Sequence, residues 1–101
     1  MNPTVRVDHN QTMRRFEIAV EGMLCRLDYR FDGAVLDLHH TEVPTVLEGR
    51  GLASQLVRAA FDYARQAGLR VRPSCSYVRA WVRRHQEEAD LLAAGGVDSR
   101  Q

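Results

Sequence analysis

Apolar and polar positions alternate along the first forty residues and then change to a helical period. In RRFEIAV, Phe16, Ile18 and Val20 alternate with Glu17 and Ala19, and an extended stretch from Thr4 to about His9 precedes it across a polar HNQT turn. Glu21-Gly22 supplies the next turn. In MLCRLDYRF, Met23, Cys25, Leu27, Tyr29 and Phe31 share one face, while Arg26, Asp28 and Arg30 share the other. That is the pattern of a strand buried on one side and wet on the other. Asp32-Gly33 reads as a hairpin turn, and AVLDLHHTEV as the next strand, ending at Pro44, which cannot donate to a ladder. The alternation puts Leu36, Leu38 and His40 on one face and Asp37, His39 and Thr41 on the other.

Beyond Pro44 the spacing predicts a helix. Leu52, Leu56, Ala60 and Ala64 recur at i+4 with Val57 and Phe61 beside them, and Gly68 closes the run as a C-cap. LRVRP reads as a short strand, and a second helix is expected from about Tyr77 to Leu92, carrying Val78, Trp81, Val82, Ala89 and Leu92. The expected class is α+β, a mixed sheet of about five strands with two main helices. Residues 1–93 would form one domain and 94–101 a flexible C-terminal tail. The strand–helix–strand unit from Leu36 to Arg72 calls for a right-handed crossover with parallel strands, whose carboxyl ends can separate to leave a crevice.

Composition narrows this picture. The 101 residues suffice for one core, and 14 basic against 13 acidic residues leave a formal charge of +1. With no strong global field to attract an anionic polymer, nucleic acid and membrane are poor partners. Every basic residue is arginine, with Arg79, Arg83 and Arg84 clustered on the last expected helix, where a solvated face explains them. MNPTVRVDHNQ lacks an apolar signal segment and no run is long enough to span a bilayer, so a cytoplasmic location is expected. Cys25 and Cys75 form no C-x-x-C and read as free thiols. His39, His85 and Cys75 have no ligand spacing, so no metal is expected.

The chemistry-bearing stretch is EGRGLAS, residues 48–54, at the mouth of the first helix. No Asp, Asn or Ser stands there as a cap, so backbone N–H groups at the dipole's positive end await a partner, and phosphate satisfies both needs. Gly49 and Gly51 permit close approach and unusual dihedrals, Ala53 keeps the first turn low, Ser54 offers a hydroxyl and Arg50 a cation. A plain glycine-rich turn is the competing reading. The spacing excludes a P-loop, since Leu52-Ala53-Ser54 replaces Lys-Ser/Thr, and it excludes the dinucleotide fingerprint, since residue 54 is serine rather than glycine.

EGRGLASQLV resembles the acyl-CoA signature Q/R-x-x-G-x-G/A of the GNAT acetyltransferases, with Glu48, Gly51 and Ala53 at its defined positions. LHHTEVP, CSYV and RRHQEEADLL extend the resemblance to very short GNAT-like N-acetyltransferase domain proteins over nearly the whole chain. The resemblance implies a truncated GNAT fold and acetyl-CoA (coenzyme A) as co-substrate. Pantetheine would pair with backbone near Glu42 and Val43, and pyrophosphate would meet the turn from Glu48 through Gly49, Arg50, Gly51, Leu52 and Ala53 to Ser54. Glu48 departs from the pattern and sets a negative charge beside the phosphates.

Acetyl transfer needs a deprotonated amine, a polarised carbonyl and a proton for the departing thiolate. Glu42 and His40 are candidates for base or water relay, against readings as a solvated strand end and a core histidine. The Val43 amide is a candidate oxyanion donor. Tyr77 could protonate the thiolate, as a tyrosine does in many GNAT enzymes, although phenylalanine is common there among the short relatives and favours packing. Cys75, near the expected acetyl sulfur, is a candidate acyl acceptor or nucleophile, against a reading as a small buried hydrophobe. The acceptor would be an unidentified amine, a protein amine fitting the open side that only HNQT borders, and the protein a monomer or weak homodimer. Two non-enzymatic readings stand beside this one: a CoA-binding sensor module, and a partner-binding protein that no longer uses the coenzyme.

Overall fold

A computed structural model describes residues 5–93; the tail expected over 94–101, and Thr4, lie outside the described residues. The strands are β1 (Asp8–Asn10), β2 (Arg15–Val20), β3 (Met23–Asp32), β4 (Val35–Glu42) and β5 (Arg70–Pro73). Helix α1 (Leu52–Ala67) joins β4 to β5, and α2 (Ser76–Arg84) follows β5. The sheet runs β1-β2-β3-β4-β5, antiparallel through β4, and β4 pairs parallel with β5. Five strands and two helices in a mixed sheet is the expected class. The hairpin turns follow local chemistry. Asn10 Oδ1 accepts from the Met13 amide at 3.0 Å. Asp32 pairs with Val35, so the third turn is Gly33-Ala34 rather than Asp32-Gly33, with glycine at φ 61° where a two-residue hairpin needs it.

One face of the sheet carries the core. Phe16, Ile18, Cys25, Leu27, Tyr29, Leu36 and Leu38 are buried against Leu52, Leu56, Val57, Ala60, Phe61 and Ala64 of α1. Each large apolar side chain so buried contributes roughly 1.5–3 kcal/mol. α2 packs beside α1 through Trp81, whose ring centroid lies 5.1 Å from that of Phe61. The other face is polar and paired in register. Arg26 meets Asp28 at 3.2 Å and Glu42 at 3.1 Å, Arg15 meets Glu17 at 3.5 Å, and Arg30 meets Asp37 at 3.5 Å. Arg15 Nε and Asp28 Oδ1, 3.6 Å apart, are too far for a hydrogen bond and have no other partner among the described residues, so they attract as charges only.

Two further expectations are corrected. The second helix does not run from Tyr77 to Leu92. It ends at Arg84, His85 turns out of helical geometry at φ −132°, and a 3-10 turn covers Gln86–Leu91. The cause is tertiary. His85 stacks on Trp81 at 4.1 Å with Nδ1 2.8 Å from the Trp81 carbonyl, and buried Glu88 is drawn to α1 by Arg58 at 2.6 Å and Arg65 at 3.0 Å. Burial alone would raise the Glu88 carboxyl, but the hydrogen bonds from Arg58 and Arg65 outweigh it and hold the group below its usual range. The second correction concerns His40. In the β3–β4 ladder Tyr29 faces Leu38 and Asp28 faces His40, so His39 is an extra residue in β4, a β-bulge that reverses the alternation after it. Thr41, opposite Leu27, therefore joins the face of Leu36 and Leu38, whereas His40 and Glu42 join Arg26 and Asp28 on the polar face.

His9 supports the β1 edge. Its ring stacks on Phe16 at 4.2 Å, meets Tyr63 edge-on at 4.5 Å, and shares a 2.6 Å hydrogen bond with the Tyr29 hydroxyl. Burial pushes its pKa below 6.5, so the unfolded chain binds the proton more tightly. The contribution of neutral His9 is present above the unfolded pKa and is lost as pH falls below it. Thermal melts of the protein and of His9→Phe should therefore show a steeper loss of melting temperature from pH 7.5 to 5.5 in the unsubstituted protein, taking about 6.5 as the unfolded pKa. Parallel pH curves would remove this role.

Candidate functional site

The β4–β5 ladder stops early. Its last pair is Leu38 with Pro73, and Pro73 has no N–H to continue it. The Cys75 amide closes back on the Leu38 carbonyl at 2.9 Å, after which the chain turns into α2. β4 nevertheless continues to Glu42, paired there with β3 alone. From His39 onward one backbone edge of β4 has no strand neighbour among the described residues, and a cleft opens beside it.

The cleft, about 520 Å³, is lined by Thr41, Glu42 and Val43 from β4 and its end, by Leu47, Glu48 and Gly49 from the loop, by Gly51, Leu52 and Ala53 at the start of α1, and by Tyr77 of α2. Its floor at α1 is backbone. Gly51 caps the helix in the left-handed region at φ 78°, ψ 14°, with no side-chain cap and no acid in the first turn. The intrahelical bonds begin with Gln55 N–H to the Gly51 carbonyl, so the amides of Leu52, Ala53 and Ser54 lack helical partners. Gly49 also has positive φ, 85°, and a Cβ built on either glycine would point into open space. The glycines are thus required by dihedral, and the space beside them is free for a ligand. Alternating left-handed residues ahead of a helix form an anion-binding concavity.

The structure gathers most of the residues singled out from sequence and separates others. Glu42, Val43, Glu48, Gly49, Gly51, Leu52, Ala53 and Tyr77 line the cleft. Arg50 does not: its guanidinium pairs with Glu21 at 2.8 Å on the surface. The Ser54 hydroxyl is likewise engaged away from the cleft, accepting from Trp81 Nε1 at 2.9 Å. That bond ties the first turn of α1 to α2. His40 lies on the polar face with Nε2 3.3 Å from Glu42 Oε1. Glu42 reaches both sides, lining the cleft while its carboxylate is held by Arg26. Cys75 immediately precedes α2, half-buried, with Sγ 3.3 Å from Thr41 Oγ1. The Tyr77 hydroxyl has no hydrogen-bond partner among the described residues, and Arg84 sits 6.0 Å over its ring.

Thr41 and Leu47 were missed by sequence reasoning. Simple alternation turned Thr41 away, and only the bulge at His39 brings it round. Leu47 is fully buried in a 3-10 turn over Thr45–Leu47, a short apolar segment with no periodicity to reveal it. Electrostatically the lining is acidic. Glu42 and Glu48 are its two charged side chains, so any affinity for phosphate comes from backbone N–H groups and the helix dipole.

Comparison with known proteins agrees with this geometry. Residues 15–91 match the family model of GCN5-related N-acetyltransferases. The chain is 37% identical over 82 residues to the Bos taurus protein NATD1, covering 78% of this chain and 73% of that one. The Homo sapiens protein NATD1 is 35% identical over 82 residues, with 78% and 73% covered, and the Xenopus tropicalis protein is 35% identical over 88 residues, with 82% and 81% covered. Among solved structures, the solution structure of a GCN5-like protein from Staphylococcus aureus superposes with a TM-score of 0.73 at 23% identity, over 96% of this chain and 94% of that one. That likeness is one of fold.

Because Gly51 needs positive φ, Gly51→Ala should lower stability by about 1–2 kcal/mol despite the open space at its Cβ, in a denaturant titration. Gly51→Asn, which tolerates that region, should lose less. Equal stability of all three proteins would contradict the dihedral requirement.

Proposed function

The chain belongs to the GCN5-related N-acetyltransferase family, and on that premise we propose that it is an acetyl-CoA-dependent N-acetyltransferase acting on an amine presented from outside, as on a protein terminus or an exposed lysine. The observation that carries this reading is the uncapped, glycine-flanked start of α1 opening into a cleft that continues along the unpaired edge of β4. The two parts suit an extended ligand with a diphosphate at one end: backbone amides for the phosphates, and a free strand edge for an amide-bearing arm. Bound there, the coenzyme supplies an activated acyl thioester.

The protein's own groups then divide the work. Amides of Gly51, Leu52, Ala53 and Ser54 hold the phosphates, and the Val43 amide donates to the carbonyl oxygen where negative charge develops. Glu42 accepts the proton of the incoming amine, with His40 as its relay to solvent, and Tyr77 donates a proton to the departing sulfur. Cys75 offers a second route as acyl acceptor, its sulfur bonding the acyl carbon as the original thioester bond breaks. The open polar face of the sheet and the four-residue turn over residues 11–14 leave the acceptor side unenclosed. This supports a macromolecular acceptor over an engulfed metabolite.

A coenzyme-binding module without turnover is the second reading. It is favoured by Arg26, which engages the Glu42 carboxylate and so opposes its use as a base. Native mass spectrometry of the purified protein should show retained or added coenzyme A, and Gly51→Asp should abolish it; binding unaffected by that substitution would end the phosphate assignment. Glu48→Gln removes a charge next to the phosphates and should tighten binding by about fivefold, read by calorimetric titration. Transfer assays with Glu42→Gln and Cys75→Ala separate the two readings. Loss of turnover with binding intact identifies a catalyst, whereas no turnover in the unsubstituted protein identifies a binder.

A further inference from the structure

We infer that Thr41 is a positioning residue for the Cys75 sulfur, its hydroxyl fixing that sulfur at the closed end of the β4–β5 split and donating to it when it is a thiolate. This rests on the reading of Cys75 as acyl acceptor. The two atoms lie 3.3 Å apart, and Cys75 is the sole hydrogen-bond partner of the Thr41 hydroxyl among the described residues. Both ends are fixed by backbone. Thr41 is held in the ladder opposite Leu27, while Cys75 accepts no freedom of its own: its amide donates to the Leu38 carbonyl at 2.9 Å and its carbonyl accepts from the Arg79 amide at 3.1 Å. A threonine in a strand has little χ1 freedom, so the placement of the hydroxyl follows from the placement of the chain.

The contact exists only because of the bulge at His39. Without the extra residue Thr41 would face the charged side of the sheet, and no hydroxyl would reach the sulfur. Thr41 lines the cleft, and Cys75, which is not among the lining residues, is joined to it through the Thr41 hydroxyl. In the thiol form either atom can donate. Once the sulfur has lost its proton only Thr41 can, and a hydrogen bond to an anion is the stronger kind. In the step served, the Cys75 sulfur bonds the acyl carbon and the bond from that carbon to the coenzyme sulfur breaks with its electron pair. The proton given up by Cys75 goes to that leaving sulfur by way of Tyr77 or water, so thiol and thioester exchange with no net oxidation.

The test uses the full chain and two probes, iodoacetamide and acetyl-CoA, with adducts located by peptide mass mapping. Cys25, fully buried and with its thiol pushed up by burial, should stay silent. Thr41→Val keeps the shape and removes the hydroxyl; it should slow iodoacetamide alkylation of Cys75 by about tenfold, and Thr41→Ser should restore it to within about threefold. Acetylation of Cys75 by acetyl-CoA, measured at saturating coenzyme so that any change in binding does not enter the rate, should slow in parallel. If Thr41→Val does not fold, Thr41→Ala carries the same expectation. Unchanged alkylation in a folded variant lacking the hydroxyl overturns the proposal, as does slowing with acetyl-CoA alone, which would place the hydroxyl on the substrate. Failure of the unsubstituted protein to take acetyl at Cys75 ends the acyl-acceptor reading, and the alkylation rates still decide the role of Thr41.

Discussion

One extra residue in β4 governs the rest of the molecule. A parallel pair of strands ordinarily continues until one of them ends, but the bulge at His39 twists β4 just where β5 reaches Pro73 and loses its donor. The pairing with β5 stops, while the pairing with β3 carries β4 on to Glu42. The end of β5 and the bulge act together. A length of strand edge is left without a neighbour, and Thr41 changes sides, arriving beside Cys75 on the side where the cleft lies. His40 and Glu42 change sides as well, into the charged lattice of Arg26 and Asp28.

The cleft that results relies on backbone more than on side chains. Its two charged lining residues are acids, and the nearby Arg50 is occupied with Glu21, so the favourable potential for an anion comes from N–H groups at the start of α1. Such a site needs its turn held still. Gly49 and Gly51 provide dihedrals that most other residues adopt only at a cost, and the bond from Trp81 to Ser54 anchors the first helical turn against α2. α2 is in turn secured by the segment after it, where Glu88 sits between Arg58 and Arg65 of α1. The second helix therefore serves the cleft twice, carrying Tyr77 into it and bracing its floor.

Among the described residues the opposite face of the sheet carries no helix. With helices on one side only, the other side presents ion pairs in register rather than apolar residues, each pair worth little on its own at such exposure. That wet face lies behind Glu42 and is open to solvent among the described residues. A longer chain could cover it; here the first two strands are joined by a turn over residues 11–14.

Much of this was legible in the residues alone. The alternation in β2 and β3 announced a half-buried antiparallel sheet, the i+4 run from Leu52 to Ala64 announced α1, and EGRGLAS announced a helix mouth with free donors, because all three depend on neighbours within a few positions. The end of α2 at Arg84 was not legible: no glycine or proline marks it, and it depends on Trp81, Arg58 and Arg65 acting on residues distant in the chain. The bulge was equally hidden, since His39 is an ordinary strand residue until β3 and β5 decide which of its neighbours can pair, and with it went the true faces of His40, Thr41 and Glu42. Local periodicity thus determined the elements and the glycine-flanked turn before α1, while the side chains that meet across the split were decided only when β3 on one edge and β5 on the other fixed the register of β4.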